Sequence, residues 1–204
     1  MSMRTAVLAA MVVLASAGCA AVQTQPVAQP QIPTIVPPTS FSRIPQMTDR
    51  PLPDDCELVI PVELFHQKLG RELPGELKTI IGIPEPSLGR TGKIDCYYGV
   101  PERQPIAAAP VIIGLATYND EPTASARVAD SVAAEREDGA TVREVDVGKR
   151  KGQLISAKDE RLLVGWLGKT TFVARAKVGV LPEDAIGGFL AAVAQQSMTP
   201  IEGT

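Results

Sequence analysis

The sequence predicts an α+β domain, in which a mostly antiparallel sheet of five to six strands packs with three to four helices and one disulfide. Two short turns between apolar segments, residues 148–152 and 168–170, are typical of antiparallel hairpins. After the second turn, small or apolar residues alternate with mostly polar ones over residues 171–178, as in a strand with one wetter face. Residues 182–196 place apolar side chains at the i, i+3, i+4, i+7 spacing of a helix.

The remaining elements follow from apolar runs and from the residues that bound them. Asp120 is suited to cap a helix that Gly139 ends. Residues 111–118 and 161–167 are apolar on both faces, as expected of strands that are covered on both sides. Residues 89–92 are expected to form a loop, because the phosphate-binding pattern around them lacks its first glycine and its final Ser/Thr. The predicted strands are residues 93–100, 111–118, 142–147, 153–157, 161–167 and 171–178. The predicted helices are residues 61–69, 76–81, 121–138 and 182–196.

The N-terminal stretch has the pattern of an export signal. Arg4 precedes the apolar residues 5–14, which are too few for a membrane span of about 20 residues. Small residues then lead to Cys19 in a way that resembles the end of a bacterial lipobox, although Ser16 stands where Leu, Val or Ile is usual. We therefore expect Cys19 to be lipidated. Cleavage after Ala17, which would give a secreted protein, and an uncleaved anchor are the alternatives.

This signal divides the chain into three parts. Residues 1–18 are the predicted signal peptide, and residues 19–53 are the lipidated cysteine with a tether rich in Pro and Gln. Dense prolines favour an extended, solvated chain, which would span roughly 100 Å as polyproline II. Residues 54–204 are expected to form a single domain, which we place outside the cytoplasm at the cell membrane.

The composition of residues 54–204 argues against two kinds of ligand. The range has 17 basic and 22 acidic residues, whereas nucleic-acid binding domains have a basic excess. His66 is the only histidine, so the clustered Cys and His ligands of a zinc site are lacking. We expect no nucleic-acid partner, no metal and no cofactor.

The three cysteines, at positions 19, 56 and 96, are an odd number that an oxidising compartment must accommodate. If Cys19 carries lipid, then Cys56 and Cys96 remain as a pair for one disulfide, as exported proteins favour. In the chain-entropy account, closing this loop stabilises the domain by about 4 kcal/mol.

Two short motifs resemble a known family. The first is Asp55-Cys56-Glu57-Leu58 followed by a helix that ends at Leu69-Gly70, and the second is Asp95-Cys96-Tyr97-Tyr98. Together they resemble small actinobacterial cell-envelope lipoproteins with a domain of unknown function, in which a C-[DE]-L-L helix ending in LG precedes C-x-[WY]. This chain lacks the second cysteine pair of many relatives and has Ile60 where a Thr cap is common. The resemblance implies export, a disulfide and a mixed α/β domain, and it transfers no catalytic residue.

The sequence has no motif of a hydrolase nucleophile or of a metalloprotease, so we predict that the protein is not an enzyme. Carboxylate chemistry would have to use Asp95, Asp146, Asp159 or Glu160. The basic run Lys149, Arg150 and Lys151 is a candidate contact for lipid headgroups or an acidic partner, with a hydrated hairpin tip as the alternative.

The two strands that are apolar on both faces suggest where a ligand would bind. The predicted helices suffice to cover one face of the sheet, and an apolar face left open usually marks a binding site. Leu115 and Trp166 are the candidates for lining that face. We expect a lipid-anchored, non-catalytic envelope module that binds an envelope protein or an apolar envelope molecule. A small carboxylate enzyme and a purely structural or sensory domain are the alternatives.

Overall fold

The computed structural model describes residues 46–201, which form one antiparallel sheet with helices on both faces. Within this range the sheet has seven strands in the spatial order β1-β2-β3-β7-β6-β5-β4. The strands are β1 (Glu76–Gly82), β2 (Arg90–Val100), β3 (Val111–Tyr118), β4 (Thr141–Val147), β5 (Arg150–Ser156), β6 (Glu160–Leu167) and β7 (Thr170–Lys177). The helices are α1 (Cys56–Val59), α2 (Val62–Leu69), α3 (Glu121–Glu137) and α4 (Glu183–Ser197). The α+β class is confirmed. The predicted signal peptide, Cys19 and the tether up to residue 45 lie outside the described residues.

The predicted number of strands is wrong, because residues 76–81 form strand β1 and not a helix. The segment pairs antiparallel with β2, so that Thr79 lies opposite Cys96 and Ile81 opposite Ile94. A helix of six residues is too short to be stable by itself, and β-branched Thr79, Ile80 and Ile81 fit an extended strand. The apolar spacing that suggested a helix is therefore outweighed by pairing with a distant strand.

Two turns are also tighter than predicted. Residues 90–92 belong to β2 rather than to a loop, and Gly89, at φ 65°, ends the short turn before it. The β4–β5 hairpin turns at Gly148 and Lys149 alone, so that Arg150 and Lys151 already lie on β5. The predicted turn at 148–152 is thus correct in place and too long.

One face of the sheet, which we call the disulfide face, is covered by α1, α2 and α4. Its core contains Ile113 and Phe172 of the central strands, both without exposed surface. The predicted disulfide is present: Cys56 in α1 is bonded to Cys96 in β2, with their Cα atoms 5.5 Å apart. Beside it, the ring of Phe65 from α2 stacks on Tyr98 at a centroid distance of 4.1 Å. This face holds the main hydrophobic core.

The opposite face, which we call the open face, has α3 as its helical cover. Asp120 caps α3 as predicted, because its carboxylate accepts a hydrogen bond from the Thr123 backbone nitrogen (2.8 Å). Val128 and Val132 of α3 pack on residues of β5 and β6, including Leu162. The strands β1 and β2 make no comparable packing with α3, so this half of the open face is left without a helix.

The chain joins the domain before the predicted boundary at residue 54. The Thr48 nitrogen donates to the Met198 carbonyl at the end of α4 (2.9 Å). The Asp49 carboxylate accepts hydrogen bonds from Lys169 N (3.2 Å) and Thr170 Oγ1 (2.8 Å) at the β6–β7 turn. Residues from Met47 onward therefore pack along one end of the sheet.

Candidate functional site

The uncovered half of the open face carries a shallow groove along β3, which we call the β3 groove. It consists of two adjoining hollows of about 280 Å³ and 220 Å³. Both are lined by Tyr97, Ile112 and Arg175, which lie directly opposite one another on β2, β3 and β7. Since side chains on paired strands stand in rows, these three residues form one row across the groove.

Two further rows extend the groove towards the β6–β7 turn. Asp95, Gly114 and Val173 form the second row, and Lys93, Ala116 and Thr171 form the third. The central strand β3 contributes Ile112 and then only small residues, whereas the flanking strands contribute longer side chains. The shape of the groove follows from this difference in side-chain size.

Gly114 makes room for a charged side chain at the bottom of the groove. A Cβ atom at this position would lie 2.6 Å from Asp95 Oδ1, so the Asp95 carboxylate occupies the space above the strand. The same carboxylate forms an ion pair with Lys93 Nζ (2.7 Å). The groove thus has a paired charge at one side of an otherwise small and apolar floor.

The other end of the groove lies beside the short turn Ile106–Ala108. Lys177 Nζ donates hydrogen bonds to the carbonyls of Ala107 and Ala108, each at 2.9 Å, which holds this turn against β7. Ile106 and Pro110 add apolar surface to this hollow.

Arg175 is the one side chain of this row that has an unsatisfied polar atom. Arg175 Nε lies 3.3 Å from Glu160 Oε2, within ion-pair distance, yet this buried nitrogen makes no hydrogen bond. The two charged groups therefore attract each other, while the N–H bond of Arg175 Nε does not point at the Glu160 oxygen as a hydrogen bond requires. A ligand oxygen placed in the groove would give this guanidinium an additional acceptor.

The carboxylates of the groove are too far apart to act together on one bond. Asp95 on β2 and Glu160 on β6 are separated by three strand spacings, about 14 Å, and by four residues along the strands, about 13 Å. Two-carboxylate glycosidases, in comparison, place their groups roughly 5–9.5 Å apart. Asp146 pairs with Lys151 on an exposed hairpin, and Asp159 lies in the β5–β6 turn. The four carboxylates are not brought into one cleft.

Leu115 and Trp166 were predicted to line a ligand face. Neither residue belongs to the three rows of side chains that form the groove. Leu115 points into the core of the disulfide face, where it lies opposite Ile94 and Phe172, and only borders the groove from β3. Trp166 is partly buried and packs against Ala124 of α3. Their role at a ligand remains a prediction.

Tyr97, Ile112 and Arg175 were not among the site residues predicted from the sequence. The signal that could have found them is the period-2 pattern itself, because each neighbours a residue that faces the disulfide side. Once Cys96 is placed in the core with α1, Tyr97 must point to the other face. The row across β3 and β7 needs in addition the pairing of these two strands.

The basic run at the β4–β5 hairpin is divided by the structure. Lys151 forms ion pairs with Asp146 (2.6 Å) and Glu144 (3.7 Å). The hydrogen bond to Asp146, followed by its charge, raises the pKa of Lys151. Lys149 and Arg150 are exposed, and no ion pair of either is formed within residues 46–201.

A metal site, a role for His66 and a membrane-spanning helix can each be compared with the described residues. In the part of the chain that the structure describes, no three His, Cys, Asp or Glu side chains cluster as metal ligands would. His66 lies beside Phe65 on α2, with ring centroids 5.9 Å apart. Among the helices of residues 46–201, none combines the length and hydrophobicity that crossing a membrane requires.

Comparisons with known proteins add one structural similarity. The chain is similar to the extracellular domain of PknH from Mycobacterium tuberculosis, with a TM-score of 0.44 and 10% sequence identity over 72% of this chain and 97% of that one. No family model and no curated protein matches the sequence. At this level of similarity we transfer no residue, ligand or activity.

Proposed function

We propose that this protein is a non-catalytic binding module of the cell envelope, anchored to the membrane through lipid on Cys19. The Cys56–Cys96 disulfide supports a location outside the cytoplasm, since such bonds persist in oxidising compartments. The lipobox-like residues before Cys19 support the anchor. Together they describe a domain that works at the outer side of a membrane.

The β3 groove carries the proposal of a binding role. A sheet face that is covered along one half and open along the other leaves Ile112, Val173 and the ring of Tyr97 at the surface of the groove. The ion pair of Lys93 with Asp95 lies over Gly114 within this strip, and the ion pair of Arg175 with Glu160 lies at its other end. The arrangement suits an elongated molecule with an apolar body and an oxygen-bearing group that reaches Arg175.

The rival proposal of a carboxylate enzyme has less support. Each groove carboxylate is occupied by a cation, and the two are separated by several strands. A general acid and base must both reach the reacting bond, which this spacing opposes.

Native mass spectrometry of the protein purified from its own envelope tests the groove. We expect a retained molecule in the wild type and its loss in Ile112→Glu, because a carboxylate in the floor of the groove opposes an apolar ligand. Ile81→Glu is the matched control, since Ile81 is 62% exposed on strand β1 and faces the opposite side of the sheet.

Three outcomes are distinguishable. Retention in both wild type and control with loss in Ile112→Glu supports the groove. Retention in all three proteins places the ligand elsewhere, and no retained molecule in the wild type favours the structural or sensory alternative. Circular dichroism of each variant shows whether the fold is kept.

The anchor is tested separately by detergent-phase partitioning. The wild type should enter the detergent phase, and Cys19→Ser should remain in the aqueous phase, because the acyl chains are attached at that cysteine. A wild type that stays aqueous and begins at Gly18 would contradict the lipoprotein proposal.

A further inference from the structure

One end of the sheet is where the tether reaches the domain. Met47 Sδ lies 3.4 Å from the position of a Cβ on Gly148, at the β4–β5 turn. Asp49 contacts Gly168 and holds Lys169 N at the β6–β7 turn. The 45 residues that precede the described range, including Cys19, therefore connect to the domain at this end, which we call the tether end.

The tether end carries basic side chains without ion-pair partners. Lys149, Arg150 and Lys169 are exposed there, and no ion pair of theirs is formed within the described residues. Acidic side chains lie there as well. The Asp49 and Asp120 carboxylates accept hydrogen bonds within the domain, at the β6–β7 turn and at the start of α3, and Glu121 is exposed beside Asp120.

The opposite end of the sheet has more acidic than basic side chains. The C-terminus of α3, the β5–β6 turn and the start of α4 meet there. At this end, the exposed acidic residues without an ion pair among the described residues are Glu137, Asp138, Asp159 and Asp184, against the two exposed cations Arg136 and Lys158. Acidic side chains are therefore in excess at the opposite end, whereas the tether end presents three exposed cations on the side from which the tether leaves.

We infer that the tether end rests on an anionic phospholipid surface, with Lys149, Arg150 and Lys169 against the headgroups. This inference depends on the proposed anchorage through Cys19. The tether limits how far the domain can move from the membrane. The exposed cations at the tether end and the excess of acidic side chains at the opposite end then favour the tether end as the one that faces the membrane. Each basic residue near an anionic surface raises the binding constant roughly fivefold. Salt screens this attraction, which at physiological ionic strength extends over a Debye length of about 8 Å.

Trp166 is a built-in reporter of this orientation. It is the only tryptophan of the chain and lies opposite Thr171 in the β6–β7 hairpin. It lies two positions before Gly168, in the turn, and about 7 Å from it along the strand. Its distance to a membrane would therefore be short when the tether end is docked.

The test measures energy transfer from Trp166 to dansyl-labelled lipid headgroups, with the full protein purified from its own membrane and reconstituted in vesicles. We expect transfer in vesicles with one third phosphatidylglycerol to be at least twofold that in pure phosphatidylcholine. It should fall to the phosphatidylcholine level in 0.5 M salt, and also in the double variant Lys149→Glu/Lys169→Glu. The matched control Arg136→Glu/Lys158→Glu makes the same charge change at the opposite end and should leave transfer unchanged.

The outcomes separate this inference from the proposed anchor. Equal transfer with both lipids, or an equal loss in the control variant, overturns the docking of the tether end. A protein that fails to remain with vesicles of either composition overturns the anchor, and the docking with it. Retention with transfer that depends on charge, salt and the tether-end lysines supports both.

Discussion

On one face of the sheet Phe172 is completely buried together with residues of α4, while on the other face its neighbour Val173 borders an open groove. The same strands β2, β3 and β7 supply both faces. The disulfide face is closed by three helices and a covalent bond, whereas on the open face α3 packs on the strands from β3 to β7 and leaves β1 and β2 without a helix. Alternate residues of the same strands therefore face a closed core and an open groove, so that substitutions on the two faces should have separable effects.

The largest expected effect is that of Phe172→Ala, which removes a fully buried ring from the disulfide face. The ring fills the space over Gly165, so its removal leaves a cavity there. We expect the free energy of unfolding to fall by about 3–5 kcal/mol. Val173→Ala, on the groove side, should cost only about 1 kcal/mol because the side chain is partly exposed.

Urea unfolding followed by circular dichroism measures both changes. Equal losses in the free energy of unfolding for Phe172→Ala and Val173→Ala would contradict the distinction between the disulfide face and the open face.

The disulfide gives the next effect. Cys56→Ser opens a cross-link between residues 40 positions apart, and the domain should lose about 2–5 kcal/mol. The β3 groove lies on the other face, so the variant should keep its ligand wherever it remains folded. Peptide mapping without reductant should recover Cys56 linked to Cys96 in the wild type; two free thiols in exported protein would be the contrary result.

Tyr98, on the disulfide face, should make the stability of the domain depend on pH. Its hydroxyl donates to the Ile60 carbonyl (2.7 Å), and burial, followed by the charges of Glu57 and Asp55, raises the pKa of Tyr98. A raised pKa in the folded state means that the neutral phenol stabilises the domain fully below the unfolded value near 10, and that this stability is lost as the pH rises above it. Tyr98→Phe should cost about 1–3 kcal/mol at pH 8, since it leaves a buried carbonyl unsatisfied.

Urea unfolding at pH 8 and pH 11 tests this dependence. The wild type should lose more stability between the two values than Tyr98→Phe does. Parallel losses in the two proteins would show that other groups cause the alkaline destabilisation. Tyr97→Phe is the control, because Tyr97 lies on the open face and is partly exposed.

Local sequence signals account for individual elements of the fold. The alternation in residues 171–178 places Phe172 and Arg175 on opposite faces whatever the neighbouring strands are. The cap at Asp120 and the stop at Gly139 bound α3 to within a residue, because these signals act on the adjacent backbone. The odd number of cysteines pointed to the Cys56–Cys96 bond, since each alternative left a thiol unexplained.

The order of the strands and the β3 groove depend instead on residues far apart in the chain. Residues 76–82 become a strand because β2 offers a partner, and their own apolar spacing does not reveal it. The groove needs β3 to lie between β2 and β7, a pairing of segments about 60 residues apart in the chain that no local pattern encodes. The open half of the sheet likewise depends on where α3 comes to rest, and the position of one helix over a seven-stranded sheet is set by packing, which periodicity does not specify.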